Sequence, residues 1–249
     1  MQHSSSCDTC NSQTLNHSSL HHAIMRGIVD KGYAPTVEEI AAQFKCPIDE
    51  AESALKALAE YHGVVLHPNQ PKVWVIHPFA LAPTHFFIQA ASTESTPSQG
   101  CSSWWGNCAW CSLGAAALLR RDLTITTTLG AEKEQVILRV TSDGQLLDSD
   151  YVVHFPVPMK NAWDNVMYTC NVMLLFRNHE EVDNWSIRHG IPKGDVQPVA
   201  NIWAMAKVWY GKHLDADWKK WTLEEAKEIF ERFGLTHAVW KFPSSGERF

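Results

Sequence analysis

Two cysteines three residues apart, Cys108 and Cys111, stand at the head of an apolar, alanine-rich stretch over residues 110–119. A thiol in the first turn of a helix feels the positive end of the helix dipole, which stabilises the thiolate. Thiolate is the form that attacks electrophiles and binds soft metals. Trp104, Trp105 and Trp110 lie around the pair, and indoles of that size can wall a small apolar pocket and exclude water. A third cysteine, Cys170, lies far downstream, ahead of a β-rich run at residues 172–176.

Several chemistries are open to such a set. A redox CxxC pair calls for a thioredoxin-like βαβ context, and no such pattern precedes Cys108. A structural zinc site would need a second half. Cys7 and Cys10 supply that spacing, but they lie in a polar stretch about a hundred residues away, whereas paired zinc halves usually sit a dozen or two residues apart. A nucleophilic or soft-metal thiol site is the third reading, with mercury, copper or zinc as the ion. The plain alternative is that the cysteines are small buried apolar side chains. Spacing alone leaves these open. His17 and the tandem His21-His22 could also ligate a metal or simply be solvated.

The elements that must position these groups are legible from periodicity. Residues 1–17 are rich in Ser, His and Asn without hydrophobic period and read as a flexible tail. Leu20, Ile24 and Ile28 mark a first helix. Thr36 and Glu39 have capping-box spacing ahead of Ile40 and Phe44. Ala51, Leu55, Leu58 and Ala59 form a third apolar stripe that Gly63 ends. Residues 64–66 and 73–76 follow as a hairpin around His67-Pro68-Asn69-Gln70. Three helices and a hairpin make a winged-helix-like module over residues 18–78, and residues 79–249 form a mixed α/β domain, giving an α+β chain. In that second part, strands are expected at residues 86–88, 123–128, 135–140, 152–155 and 172–176. Helices are expected at 110–119, 180–188, 197–210 and behind the Thr222/Glu225 capping box. Residues 90–100 form a polar loop long enough to cover a site. Trp203, Trp209, Trp218 and Trp221 read as packing residues.

Composition narrows the function classes. A hydrophobic fraction of 45% over 249 residues supports a substantial core, and a net charge of −6 argues against nucleic-acid or anionic-membrane partners. Residues 1–80 carry eight acids against five bases, and the stretch 49–60, where a recognition helix would lie, holds four acids and one lysine. Phosphate contacts supply most nucleic-acid affinity, and that face repels phosphate. No run of eighteen apolar residues suggests a membrane span, and the polar start lacks a secretory core. Seven cysteines at irregular spacings fit a reducing compartment, so a cytoplasmic protein is expected.

The strings Phe79-Ala80-Leu81-Ala82-Pro83-Thr84-His85-Phe86-Phe87 and Asn107-Cys108-Ala109-Trp110-Cys111-Ser112-Leu113 resemble the organomercurial (alkylmercury) lyase family. Tyr168-Thr169-Cys170-Asn171-Val172 and Asp183-Asn184-Trp185 stand where that family has a later cysteine and a helix containing a tryptophan. The order of elements matches over residues 20–190. The resemblance implies an N-terminal winged-helix-like module, an alkylmercury-lyase-like catalytic domain and protonolysis of a carbon–mercury bond. In that reaction two thiolates take the mercury, an aspartate serves as acid, and small thiols carry the metal away. Its substrates are organomercurials, and no cofactor is required.

Carried over residue by residue, Cys111 matches the first catalytic cysteine. The family aspartate falls on Gly114, which has no proton to give. The second cysteine falls on Thr169 by direct alignment, with Cys170 beside it, and Cys108 is an added thiol. The resemblance thus implies Cys111, Cys170 and Cys108 as catalytic and mercury-binding residues. Trp104, Trp105, Trp110, Thr169, Gly114 and His85 are expected to form the pocket, and Asp164, Asp122 and His85 are either other proton donors for the site or surface and structural residues. A different small-molecule enzyme, or a metal- or thiol-binding protein using Cys108 and Cys111, is the alternative on the same scaffold.

Overall fold

A computed structural model describes residues 14–91 and 102–242. The Cys7/Cys10 pair and most of the expected 90–100 loop lie outside the described residues.

The first helix, α1 (His17–Lys31), starts earlier than the expected tail allowed, because Asn16 and Ser19 close a capping box at its head. The Thr36–Glu39 capping box starts α2 (Val37–Phe44) as its spacing predicts. Helix α3 (Ile48–Glu60) buries Ala51, Leu55 and Leu58. Strands β1 (Val65–Leu66) and β2 (Val73–Ile76) pair antiparallel, so three helices and a hairpin are present in the expected order.

That hairpin is continuous with the sheet that follows. β2 pairs with β3 (Phe79–Ala80), Ile76 opposite Phe79. The sheet continues through β5 (Ser103–Gly106), β4 (Phe86–Ala90), β6 (Leu123–Thr128) and β7 (Gln135–Val140), all antiparallel, in the order β1-β2-β3-β5-β4-β6-β7. The boundary expected at residue 78 therefore falls between two paired strands of one sheet. The Trp104 indole also donates to the Ile28 carbonyl of α1 at 3.0 Å, tying the N-terminal helices to β5.

Chain leaving β5 turns directly into α4 (Ala109–Leu119). This helix is apolar on every side, and ten of its eleven residues are buried, the expected state for such a helix. It packs chiefly on α7 (Val199–Tyr210) and on the sheet strands beside it. A second, three-stranded sheet has the order β10 (Asp195–Pro198), β8 (Val152–Phe155), β9 (Leu175–Phe176). Helices α6 (His179–His189) and α8 (Leu223–Arg232) complete the fold, and α8 opens on the expected Thr222/Glu225 capping box. One apolar cluster runs from Leu20 through α4 and α7 to Trp240.

One expected element is different. Residues 172–176 do not form a full strand, and only Leu175 and Phe176 join the ladder. Asn165 caps the backbone N–H of Tyr168, which starts a short helix, α5 (Val166–Asn171), and Cys170 lies on it. Among the described residues no helix is long and apolar enough to cross a membrane.

Candidate active site

Three separate segments are stitched together at the head of α4. The backbone N–H of Asn107 donates to the Pro78 carbonyl at 3.2 Å, and that of Ala109 donates to the Met173 carbonyl at 3.1 Å. The first bond brings the β2–β3 turn, with His77, to the helix N-terminus. The second brings in the end of α5, with Cys170. The Thr84 hydroxyl donates to the Gly106 carbonyl at 2.6 Å and holds the end of β5 against the start of β4. A side chain on Gly106 would collide with Ser112, the Cβ falling 2.1 Å from its Oγ, so glycine is what lets β5 turn this sharply into α4.

Cys108 is the N-cap of α4. Its backbone is extended, and its Sγ accepts from the Cys111 N–H at 3.3 Å. The two sulfurs are 3.2 Å apart with Cys108 donating. Cys111 also meets the Tyr210 hydroxyl at 3.4 Å. Cys170 Sγ lies 3.8 Å from His77 Nε2, and the ligand atoms of His77, Cys111 and Cys170 all lie within 4.8 Å of one another. All three cysteines are buried and free.

The electrostatics single out one sulfur. Burial alone would raise the Cys111 thiol. Hydrogen bonds from Cys108 and Cys170, the pull of His77 and the Tyr210 hydroxyl outweigh it and hold Cys111 well below the ordinary thiol range. Its place in the first turn of α4 acts in the same sense. Cys108 moves up through burial and through donating to Cys111. Cys170 moves up because it donates to both other sulfurs, with burial adding to this. These directions make Cys111 the sulfur of the three that most readily gives up its proton.

These groups open into an apolar cavity lined by Trp110, Trp163, Trp209, Trp218 and Trp221, together with Met159, Thr169 and Met173. His21, His62, His77 and His213 also face it. Burial lowers each of these imidazoles, and His213 falls to about 3. No Asp or Glu lines this cavity among the described residues. It is an apolar chamber with the three sulfurs at one end, and Lys220 is the charged side chain on its wall among the described residues.

Of the residues singled out from the sequence, Cys108, Cys111, Cys170, Trp110 and Thr169 meet in this cavity. Cys170 sits on a short helix rather than ahead of a full strand, and both it and Thr169 are buried there. Gly114 lies one turn beyond Cys111, against Tyr210. The others are placed differently. Trp104 is turned toward α1 and bonds Ile28, and Trp105 packs on Phe87 across the β4–β5 ladder, so neither indole lines the cavity. His85 is exposed and outside it. Asp122 accepts from the Ser142 N–H and Asp164 from the Asn161 amide, both at exposed positions away from the cavity lining. His21, read as part of a solvated group, is instead buried and stacked on Trp218 at 3.5 Å between ring centres. Trp209, Trp218 and Trp221, read as packing residues, also wall the cavity.

Sequence reasoning missed His77, Tyr210 and His213. The only signal for Tyr210 was its position on the buried stripe Ile202-Trp203-Ala206-Trp209-Tyr210 of a helix expected at 197–210. Nothing in the residues around His77 marked it.

The alkylmercury lyase family model (MerB: Alkylmercury lyase) matches residues 79–211, the stretch that carries Cys108, Cys111, Cys170 and Tyr210. Among solved structures the chain is similar to the mercury-bound form of MerB2, with a TM-score of 0.62 and 17% identity over 82% of this chain and 94% of that one. No curated protein matches the chain. With the family model covering more than half its length, the chain belongs to the alkylmercury lyase family.

Proposed function

We propose that this protein cleaves the carbon–mercury bond of organomercurials by protonolysis. The observation that carries the reading is the buried cluster of three free cysteines at the head of α4, with Cys108 Sγ 3.2 Å from Cys111 Sγ and the ligand atoms of His77, Cys111 and Cys170 all within 4.8 Å of one another. Mercury is a soft ion that prefers sulfur to water. In the first step Cys111 displaces the ligand X from R–Hg–X, giving R–Hg–S(Cys111) and X⁻. In the second, a neighbouring thiol binds the mercury through sulfur and gives up its proton. The C–Hg bond breaks with its electron pair remaining on carbon, where a proton is received. The products are R–H and mercury held by two sulfurs, and mercury stays in the +2 state throughout. Added sulfur donation makes the carbon more basic, and an apolar, indole-walled cavity strengthens the attraction between carbon and proton.

Cys170 is the second sulfur in this reading. Its Sγ belongs to the group with His77 and Cys111 that could hold an ion. Cys108 is committed to capping α4 and serves as a hydrogen-bond donor to Cys111, free to add a third sulfur once mercury is bound. His77 offers a nitrogen on the same side. The cavity walls argue for the organic group. Five indoles favour a flat, apolar R, and an aryl group fits that surface better than a small alkyl.

The test is to incubate the reduced protein with phenylmercury and excess small thiol and to measure benzene. Release that disappears in Cys111→Ser supports the reading, and no release above that variant overturns it. Copper or zinc held at one per chain and lost in Cys108→Ser would favour a metal site over lyase chemistry.

A further inference from the structure

The lyase reading leaves its acid unassigned, and the cavity holds no carboxylate among the described residues. The position where the resemblance places an aspartate is occupied by Gly114. The reason is visible in the packing. A Cβ on Gly114 would fall 2.0 Å from Cδ2 and 2.4 Å from Cε2 of Tyr210. The tyrosine ring lies in the space that any side chain at 114 would claim. Its hydroxyl emerges 3.4 Å from Cys111 Sγ, the atom on which the R–Hg group is received. The ring is fixed in that pose by Trp110 at 5.9 Å and His213 at 4.9 Å between ring centres. α4 and α7 also pack directly on one another.

We propose that Tyr210 is the catalytic acid, its phenol standing in from α7 for the carboxylate that position 114 of α4 lacks. This inference rests on the carbon–mercury cleavage reading above. The O–H proton passes to carbon as the C–Hg bond breaks, and the bond's electron pair forms the new C–H bond. In the same step Cys170 sulfur closes on mercury and its S–H proton passes to the phenolic oxygen, so the added sulfur donation acts while the C–Hg bond breaks. The sum is R–Hg–S(Cys111) plus H–S(Cys170) giving R–H and S(Cys111)–Hg–S(Cys170), with Tyr210 returned to its starting state. Gly114 and Tyr210 are one device, since the glycine admits the ring that carries the proton.

Other hydrogen donors face the cavity or lie in the first turn of α4 but are placed less well. His77 sits among the mercury-binding atoms. Lys220 lies over Trp163 and Tyr61. The Ser112 hydroxyl is engaged by the Cys108 carbonyl at 2.7 Å.

Tyr210→Phe removes the oxygen and keeps the ring against Gly114. Under single-turnover conditions benzene release from bound phenylmercury is expected to fall about 100-fold or more, the lower range for removing a general acid. Stoichiometric capture of phenylmercury, followed by loss of titratable thiol, is expected to stay at one per chain. A second pair of variants moves the acid rather than deleting it. Tyr210→Ala clears the space, and adding Gly114→Asp to it is expected to raise benzene release at least 10-fold over Tyr210→Ala alone. If the unsubstituted protein releases benzene and Tyr210→Phe does so within about 3-fold of it, Tyr210 is not the acid although the lyase reading stands. If the unsubstituted protein releases none, the lyase reading falls and this inference with it.

Discussion

Replacing Gly114 with alanine adds one methyl group to a buried helix, a change that elsewhere would stabilise it by about 1 kcal/mol. Here the new Cβ would lie 2.0 Å from Tyr210 Cδ2, where ordinary contact begins at 3.4 Å, so the ring must retreat by the difference, about 1.4 Å. The ring is buried among Trp110 and His213, and overpacking of that kind costs about 1–3 kcal/mol. A retreat on that scale also breaks the 3.4 Å contact with Cys111, and a hydrogen bond to a charged acceptor is worth about 1.5–3 kcal/mol. Set against the helix gain, the expected net loss is about 3 kcal/mol, or roughly 6–12 °C in Tm for a chain of this size. The assay is a double-mutant cycle by thermal or urea unfolding. In a Tyr210→Ala background the clash is absent, and Gly114→Ala should be neutral or stabilising, leaving a coupling energy of about 3 kcal/mol. A cost below about 0.5 kcal/mol in the parent, or an equal cost in both backgrounds, would refute the steric coupling of the two residues.

Three further outcomes follow from the same geometry. Alkylation of Cys111 by iodoacetamide should remain fast well below the pH at which ordinary thiols lose reactivity, because the thiolate is held by Cys108, Cys170 and Tyr210 against the opposing effect of burial. Tyr210→Phe should shift that profile to higher pH, and a profile centred in the ordinary thiol range in the parent would contradict the assignment. His213 is pushed by burial from 6.5 to about 3 in the folded state. Its contribution is therefore complete above pH 6.5 and is lost as pH falls toward 3. At pH 5 the loss is about 2 kcal/mol, roughly 4–8 °C in Tm. His213→Phe should show a smaller fall between pH 7.5 and 5, and an equal fall would remove His213 from the account. Phenylmercury should be preferred over methylmercury by about 2–10-fold in KM, the worth of one aromatic contact, and Trp163→Ala should reduce that preference.

Much of the scaffold could be read from residue patterns. The capping boxes at Thr36 and Thr222 lie where their spacing placed them, since these are local rules with local partners. The apolar run after Cys108 gave α4, because a helix without a polar face has only the interior to occupy. Residues 172–176 misled for an equally physical reason. Their β-branched and apolar side chains suit a strand, but the Asn165 cap upstream turned residues 166–171 into a helix and left two residues for the ladder. That local difference decided how Cys170 reaches Cys111.

The candidate site was legible where its chemistry lies in one segment and obscure where distant segments converge. Cys108 and Cys111 lie within one helical turn, and the dipole argument needs nothing else. His77 arrives through a backbone bond from Asn107 to Pro78, which no periodicity reveals. Trp104 and Trp105 were drawn toward the site by sequence proximity, but β5 turns one indole to α1 and the other onto Phe87. Gly114 reads from the sequence as a missing acid. In the fold it is the space that Tyr210 fills.

The central claim is that these thiols break a carbon–mercury bond rather than merely hold mercury. A single-turnover reaction with one equivalent of phenylmercury and no added thiol tests it most directly. The account predicts one benzene released per chain, with mercury retained on the protein and at least two thiols lost to titration. Phenylmercury recovered intact from the protein on denaturation, with one thiol lost and no benzene formed, would contradict it.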